Sequence, residues 1–257
     1  METIEELLLK QITQGQILDV CIGIRWTAVV SLVGGVRKCG LASTLQTHNK
    51  HSAKAAVEKA GYLTDISSYE LARYILSANT LEKSIGIAAI NSLLPVSPQN
   101  SIEINAGYEI ARLGREKKVV LVGHFPFVQR LRAEVGELFV LERDPREGDY
   151  PEKDAPQIIP QADIVAITSL TITNGSLSSL LKLCSPNAHV MLLGPSTPLS
   201  PALFEYGITT LSGVEVYDIE SVINGIKQGA NFKQLHKLGV TLVTIRKRDF
   251  GKGMDHC

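Results

Sequence analysis

Three short apolar runs in the second half of the chain each stop at a loop of small and hydroxylated residues. They are VVLVGHFPF (Val119 to Phe127), DIVAITSLTITNGS (Asp163 to Ser176) and VMLLGPSTPLSP (Val190 to Pro201). A short run of β-branched and aliphatic residues, bounded by Gly or Pro and followed by a helical pattern, reads as a strand buried on both faces of a parallel sheet. Ligands of open parallel sheets sit just beyond the carboxyl ends of the strands. The three polar loops fall at those ends, so a binding crevice is marked before any ligand is named.

The rest of the chain fits around that sheet. With 257 residues and 44% hydrophobic content, it is long enough for one large domain or two smaller ones. Ile4, Leu7, Leu8 and Ile12 are spaced as on an amphipathic helix. Residues 17–24 and 27–33 read as an antiparallel hairpin joined near Arg25 and Trp26, closed off by Gly34 and Gly35. Helices are expected over 69–77 and 81–94, so this first part is α+β, strands first and helices after. LPVSPQNS, from Leu94 to Ser101, carries two prolines and no apolar period, and places a domain boundary that gives 1–97 and 98–257. Beyond it helices (106–113, 127–135, 177–183, 219–229) alternate with strands (119–122, 138–141, 164–167, 190–193, 209–211, 240–245), the pattern of a doubly wound α/β fold. Residues 143–157 are polar and read as a mobile surface loop.

Lys plus Arg and Asp plus Glu each total 26, so no net field draws the chain to nucleic acid or to anionic lipid. No apolar run approaches the roughly 18 residues of a membrane span, and the amino terminus lacks the basic flank of a secretory signal. Neither nucleic acid nor membrane is expected as a partner. Cys21, Cys39, Cys184 and Cys257 are scattered without a Cys-x-x-Cys pair, which reads as reduced thiols and a cytoplasmic protein.

Within the loops, Gly123 ends a strand and Pro126 suits the first turn of the next helix, which would put the amides after His124 at an anion-favouring helix N-terminus. Glu142 ends the following strand, and 142 − 123 = 19, close to the spacing at which dinucleotide folds hold a ribose hydroxyl. VGHFPF offers one glycine where G-x-G-x-x-G needs three, so the pattern favours a ribose-like or nucleoside-like ligand over NAD, with a surface Glu142 paired to an arginine as the plainer alternative. Thr168, Ser169, Thr171 and Thr173 crowd the next loop beside Asn174 and Gly175, as ligand contacts or as helix caps and turn residues. In LGPSTPLSP, Ser196 and Thr197 are held by prolines for hydrogen bonding, or the loop is a rigid helix entry with Ser200 as cap and Pro201 first in the helix. His124 is the best titratable candidate, as base, donor or metal ligand, against a packed non-catalytic histidine. Cys39, His48 and His51 fit no standard zinc spacing, and no metal site is expected there or at Asp255, His256 and Cys257.

VGHFPF, AITSLTITNG and LLGPSTPLSP, with GLASTL and SIGIAAINSLL upstream, together resemble the putative heavy-metal-chelation domain family over nearly the whole chain. The resemblance implies a Rossmann-like parallel sheet flanked by helices, preceded by a smaller α+β domain similar to the enolase N-terminal fold, with an active site between the two. It implies a role in making or processing pterin, flavin or siderophore-like chelators, and a partial likeness to methyltransferases. The family's motifs fall on Gly123, His124, Phe125 and Pro126, on Thr168, Asn174 and Gly175, on Gly194, Pro195, Ser196 and Thr197, and on Thr44 and Asn91. Ser169 departs from the glycine usual after the threonine, and its side chain is expected to narrow the pocket or alter the backbone.

Together these readings point to an enzyme or enzyme-like protein acting on a small polar heterocyclic or nucleotide-like metabolite. Glu142 would hold a hydroxyl, the amides after His124 an anionic group, and Asn174 with Thr197 would orient the substrate. The rivals are a non-catalytic metal or metal-chelate binder and an S-adenosylmethionine-dependent methyltransferase. The expected partner is an anionic or nucleotide-like small molecule, with self-association into a homo-oligomer left open. No cofactor can be named.

Overall fold

The segment WTAVVSLV, residues 26–33, is buried on both faces, so the strands around it need cover on two sides. The computed structural model describes residues 2–45, 56–95, 102–103 and 105–250. Helix α1 (Ile4–Gln11), capped by Thr3 in a reciprocal box with Glu6, leads into β1 (Gln16–Ile22), β2 (Trp26–Val33) and β3 (Val36–Ser43), an antiparallel sheet of order β1-β2-β3. Gly34 and Gly35 do not close the unit as expected. They form the two-residue turn into β3, with φ of +57° and +82°, the hairpin geometry that glycine permits. Helix α2 (Ser68–Ala72), a 3-10 turn (Arg73–Leu76) and α3 (Thr80–Leu93) follow.

From residue 106 helix and strand alternate. The elements are α4 (Ala106–Leu113), β4 (Lys118–Val122), α5 (Val128–Glu134), β5 (Glu137–Glu142), β6 (Tyr150–Pro151), α6 (Ala155–Ile158) and β7 (Ile164–Thr168). Then come α7 (Leu170–Thr173), α8 (Leu177–Leu181), β8 (His189–Leu193), β9 (Thr210–Val216), α9 (Ile219–Lys227), α10 (Phe232–Leu238) and β10 (Val240–Arg246). Seven strands lie in the order β10-β9-β8-β7-β4-β5-β6, and the pairs from β9 to β6 are parallel. From β4 the chain builds outward through β5 and β6, then returns to β7 on the other side. The order reverses between β4 and β7, the switch point at which Rossmann-type sheets bind ligands.

Residues 143–157, expected as a mobile loop, instead hold the edge strand β6, a 3-10 turn (Glu152–Asp154) and α6. Tyr150 and Pro151 pair with Leu141 and Glu142. Proline is tolerated there because an edge strand leaves one side of its backbone unpaired. Pro201 is first in a 3-10 helix (Pro201–Tyr206), at the position read as a helix entry.

The chain resolves into two compact units. One comprises Met1–Ser97, Pro195–Ala202 and Gly213–Leu242, the other Pro98–Gly194, Leu203–Ser212 and Val243–Cys257. The boundary read at Leu94 to Ser101 falls largely outside the described residues, and the chain passes between the units again at 194/195, 202/203, 212/213 and 242/243. The first unit takes these later segments because its three-stranded sheet has two faces to bury. On one, Ser31 Oγ donates to Ser92 O of α3 at 2.8 Å, and Gly40 lies so close that a Cβ would stand 2.1 Å from Ala88 O. On the other, Ala28, Val30 and Leu41 pack with Val222, Ile223 and Ile226 of α9 and Leu235 of α10. Each such Val, Leu or Ile side chain contributes on the order of 1.5–3 kcal/mol when buried, so the sheet without α9 and α10 would leave an apolar face exposed. The second unit's core is built from Ile110, Val119, Leu121, Leu131, Val140, Ile164 and Met191.

Candidate functional site

The loop after β4 is set by backbone geometry. Gly123 N donates to Leu141 O at 2.9 Å, and its φ of +107° excludes other residues without strain. A Cβ there would also stand 3.1 Å from Thr168 Cβ and Cγ2, so the loops after β4 and β7 touch. His124 N then donates to Glu142 Oε1 at 2.7 Å, and Arg143 N to Glu142 Oε2 at 3.0 Å. This corrects two expectations. Pro126 precedes the helix, which begins only at Val128, and the amide after Gly123 already faces a carboxylate instead of waiting for an anion. The 19-residue spacing of Gly123 and Glu142 is bridged directly, because adjacent parallel strands bring their carboxyl ends side by side.

The His124 ring is held from the other direction. Its Nδ1 lies 2.8 Å from Asp149 Oδ2, with the Asp149 side chain fully buried and that of His124 15% exposed. Arg146 N also donates to Oδ2, at 3.2 Å, and Arg132 Nη2 stands 3.6 Å from Oδ1 while donating to Gly148 O at 2.9 Å. A carboxylate oxygen accepts, so the contact suits a proton on Nδ1 and leaves Nε2 as the ring nitrogen away from Asp149. Sequence reasoning missed Asp149 because it sits in the segment read as a loop, one residue before β6. No local signal in the sequence marks it.

Past β7, Thr171 Oγ1 donates to Thr168 O at 2.7 Å, and Leu170 N donates to Thr168 Oγ1 at 3.4 Å. Asn174 Oδ1 accepts from Ser176 N at 3.0 Å and Ser176 Oγ at 2.7 Å, the turn role foreseen for it, and Gly175 follows at φ +79°. Thr173 is buried with Oγ1 unpartnered. Ser169 neither narrows a pocket nor strains the backbone. It has φ −63° and is 1% exposed, and its N donates to Leu193 O at 2.7 Å. A Cβ on Gly194 would meet Ser169 Oγ at 2.8 Å, so the glycine at φ +126° is what makes room for the serine.

These loops enclose a cavity of about 220 Å³ at the switch point. Gly123, His124, Phe125, Glu142, Thr168, Thr171 and Asn174 line it, as do Arg143 and Glu152, which pair at 2.8 Å and were not foreseen. Phe125 stacks on Phe127 at 5.1 Å between ring centroids. Ser169, Gly175 and Gly194 are not part of the lining. Thr44, Asn91, Pro195, Ser196 and Thr197 belong to the first unit. There Ser196 Oγ accepts from Ser43 N at 2.8 Å, Asn91 Nδ2 donates to Leu41 O at 2.9 Å and Ser196 O at 3.4 Å, and the Thr27 and Thr44 hydroxyls lie 2.9 Å apart. Asn91 Oδ1 and Thr197 Oγ1 are buried without partners.

Among the described residues, no three of His, Cys, Asp and Glu are grouped to hold a metal ion. Burial pushes the Cys39 thiol up to about 12. His48, His51, Asp255, His256 and Cys257 lie outside the described residues.

Two family models match the chain, both described as putative heavy-metal chelation, one over residues 5–94 and one over 106–244. The chain belongs to this family. A crystal structure of a family member of unknown function from Desulfitobacterium hafniense DCB-2 is 29% identical and superposes with a TM-score of 0.80, covering 95% of this chain and 98% of that one. Another, from Pyrococcus horikoshii, is 23% identical with the same TM-score and coverage, and shares the fold. An uncharacterised protein of Methanocaldococcus jannaschii is 24% identical over 242 residues, 88% of this chain and 90% of its own length. No helix among the described residues is long and apolar enough to cross a membrane.

Proposed function

We propose that this member of the heavy-metal-chelation family is an enzyme that moves a proton on a small polar ring compound, of the pterin, flavin or siderophore-like chelator class, with His124 as the base. The carrying observation is the His124–Asp149 pair at the edge of the switch-point cavity. A buried carboxylate on Nδ1 fixes the tautomer and stabilises the imidazolium formed when Nε2 takes the substrate's proton. Thr168, Thr171 and the free amide donors of Asn174 orient the ring. Glu142 has two lone-pair sites left for a ring or ribose hydroxyl after its two backbone contacts. About 220 Å³ lies below the roughly 300–1,000 Å³ of pockets that enclose drug-sized ligands, which favours a compact ring system over a whole dinucleotide. The link to heavy metals then runs through a chelator the enzyme makes or modifies, in a reducing compartment such as the cytoplasm, in keeping with the free Cys21, Cys39 and Cys184.

A thermal-shift screen of pterins, flavins, nucleosides and catechol or hydroxamate chelators tests this, with and without divalent metals. A ring compound at about 100 times its dissociation constant stabilises by about 2.7 kcal/mol, without metal, and the shift disappears in His124→Asn. Tight stoichiometric binding of a bare cation, lost in His124→Ala, would overturn the reading.

A further inference from the structure

Arginines surround a second space in the second unit, where β8 and β9 begin, β10 ends and α4 passes. Two adjoining depressions of about 520 and about 420 Å³ share Glu109, Arg112, Arg246 and Arg248. Glu109 is 5% exposed and serves both neighbouring guanidiniums. Arg112 Nη2 and Arg246 Nη2 each lie 3.0 Å from its Oε1, and Arg112 Nε donates to Oε2 at 3.1 Å. Lys247 and Arg248 also line the space, so four cations stand there with the carboxylates of Glu109 and Glu103, and Asp249 beside Arg248 leaves one positive charge in excess. Arg248 meets Asp249 only at 3.9 Å. Arg246, with a side chain 14% exposed, keeps its Nε buried without an acceptor. His189 adds no charge, since burial holds its pKa below the ordinary value, and its ring lies 3.1 Å from the Thr209 and Thr210 hydroxyls. That ring and Leu113 give the smaller depression an apolar wall.

We infer that this is a second binding site, for a small metabolite that joins a dianionic group, a phosphate ester or paired carboxylates, to a compact apolar part. The guanidinium fork matches both anions in shape and charge. The exposed guanidiniums of Arg112 and Arg248 supply donors, Lys247 adds charge, and Leu113 with His189 receives the apolar part. A bare metal cation is repelled.

Titration calorimetry with phenyl phosphate, inorganic phosphate and malonate tests the site on the intact protein. At least one probe should bind saturably below about 1 mM, more weakly at high salt, and at least tenfold more weakly in Arg248→Gln and in the double variant Glu109→Gln/Arg246→Gln. Binding should persist in His124→Asn. A preference for phenyl phosphate or for malonate identifies the anionic group, and either supports the site. Absence of saturable binding, equal affinity in the arginine variants, or loss in His124→Asn would overturn it. Should the double variant fail to fold, Arg248→Gln, at a side chain 65% exposed, decides alone.

Discussion

At the carboxyl ends of β4 and β7, atoms are placed by backbone geometry: glycines at positive φ, amides on Glu142, threonine and asparagine turns, and one imidazole on one buried carboxylate. Where β8 and β9 begin, they are placed by charge, two arginines sharing Glu109. The first region should be broken by an added Cβ at Gly123, whose φ is +107°. The second should be broken by removing the charge on Glu109.

The largest effect is expected at Glu109. Glu109→Ala leaves Arg246 buried without its counter-ion and should cost about 3 kcal/mol in urea unfolding. Burial pushes this carboxyl up, but the hydrogen bond from Arg112 and the charges of Arg246, Arg112 and Arg248 outweigh it, so its pKa is lowered overall. The unfolded chain therefore binds more protons in acid. The stabilisation is complete above the unfolded value, about 4.3, and is lost as pH falls through the lower folded value. The wild type should lose stability across that window more steeply than Glu109→Ala. Equal acid slopes would break the contrast between the two regions.

Gly123→Ala comes next, at about 2 kcal/mol, from a positive φ and from the contact with Thr168. It should abolish ring-compound stabilisation at His124 while leaving anion binding at the arginines intact. A loss of both would show that the two regions are coupled. The smallest effect belongs to Ser169→Gly. It replaces a right-handed serine outside the cavity lining, and should cost no more than about 1 kcal/mol in thermal unfolding with ligand shifts unchanged.

The sequence shows one of these regions far better than the other. β4, β5, β7 and β8 are legible because strands buried on both faces must be apolar throughout, and Gly123, His124, Glu142 and Thr168 follow from where those runs stop. β3 is hard to read in the sequence because Arg37, Lys38 and Gly40 interrupt its apolar pattern, and because Gly34–Gly35 reads equally as an end or a hairpin turn. Helix α10 had an available signal, the Asn231–Gln234 capping box, hidden by its polar face. Asp149 and Arg246 had none. Their meaning depends on which strand ends the fold brings beside them, and neither residue carries its partner at a helical or strand spacing. Ser196 and Thr197 are legible in the loop after β8, whereas Thr44 and Asn91 come only from the family resemblance, and the role of all four as hydrogen-bonded or unpartnered groups within the first unit appears only in three dimensions.

Tyr150 and Pro151 make the shortest strand of the large sheet, and Asp149 is the residue before them. The carboxylate that orders the His124 ring is thus fastened by a latch only two residues long, at the sheet's outer edge. Such an edge can open locally at a free energy well below that of global unfolding. The imidazole would then lose its orientation while the core of β4, β7 and β8 stays folded. Under the proposed role of His124, activity should fail at the temperature that releases this latch, below the melting of the domain.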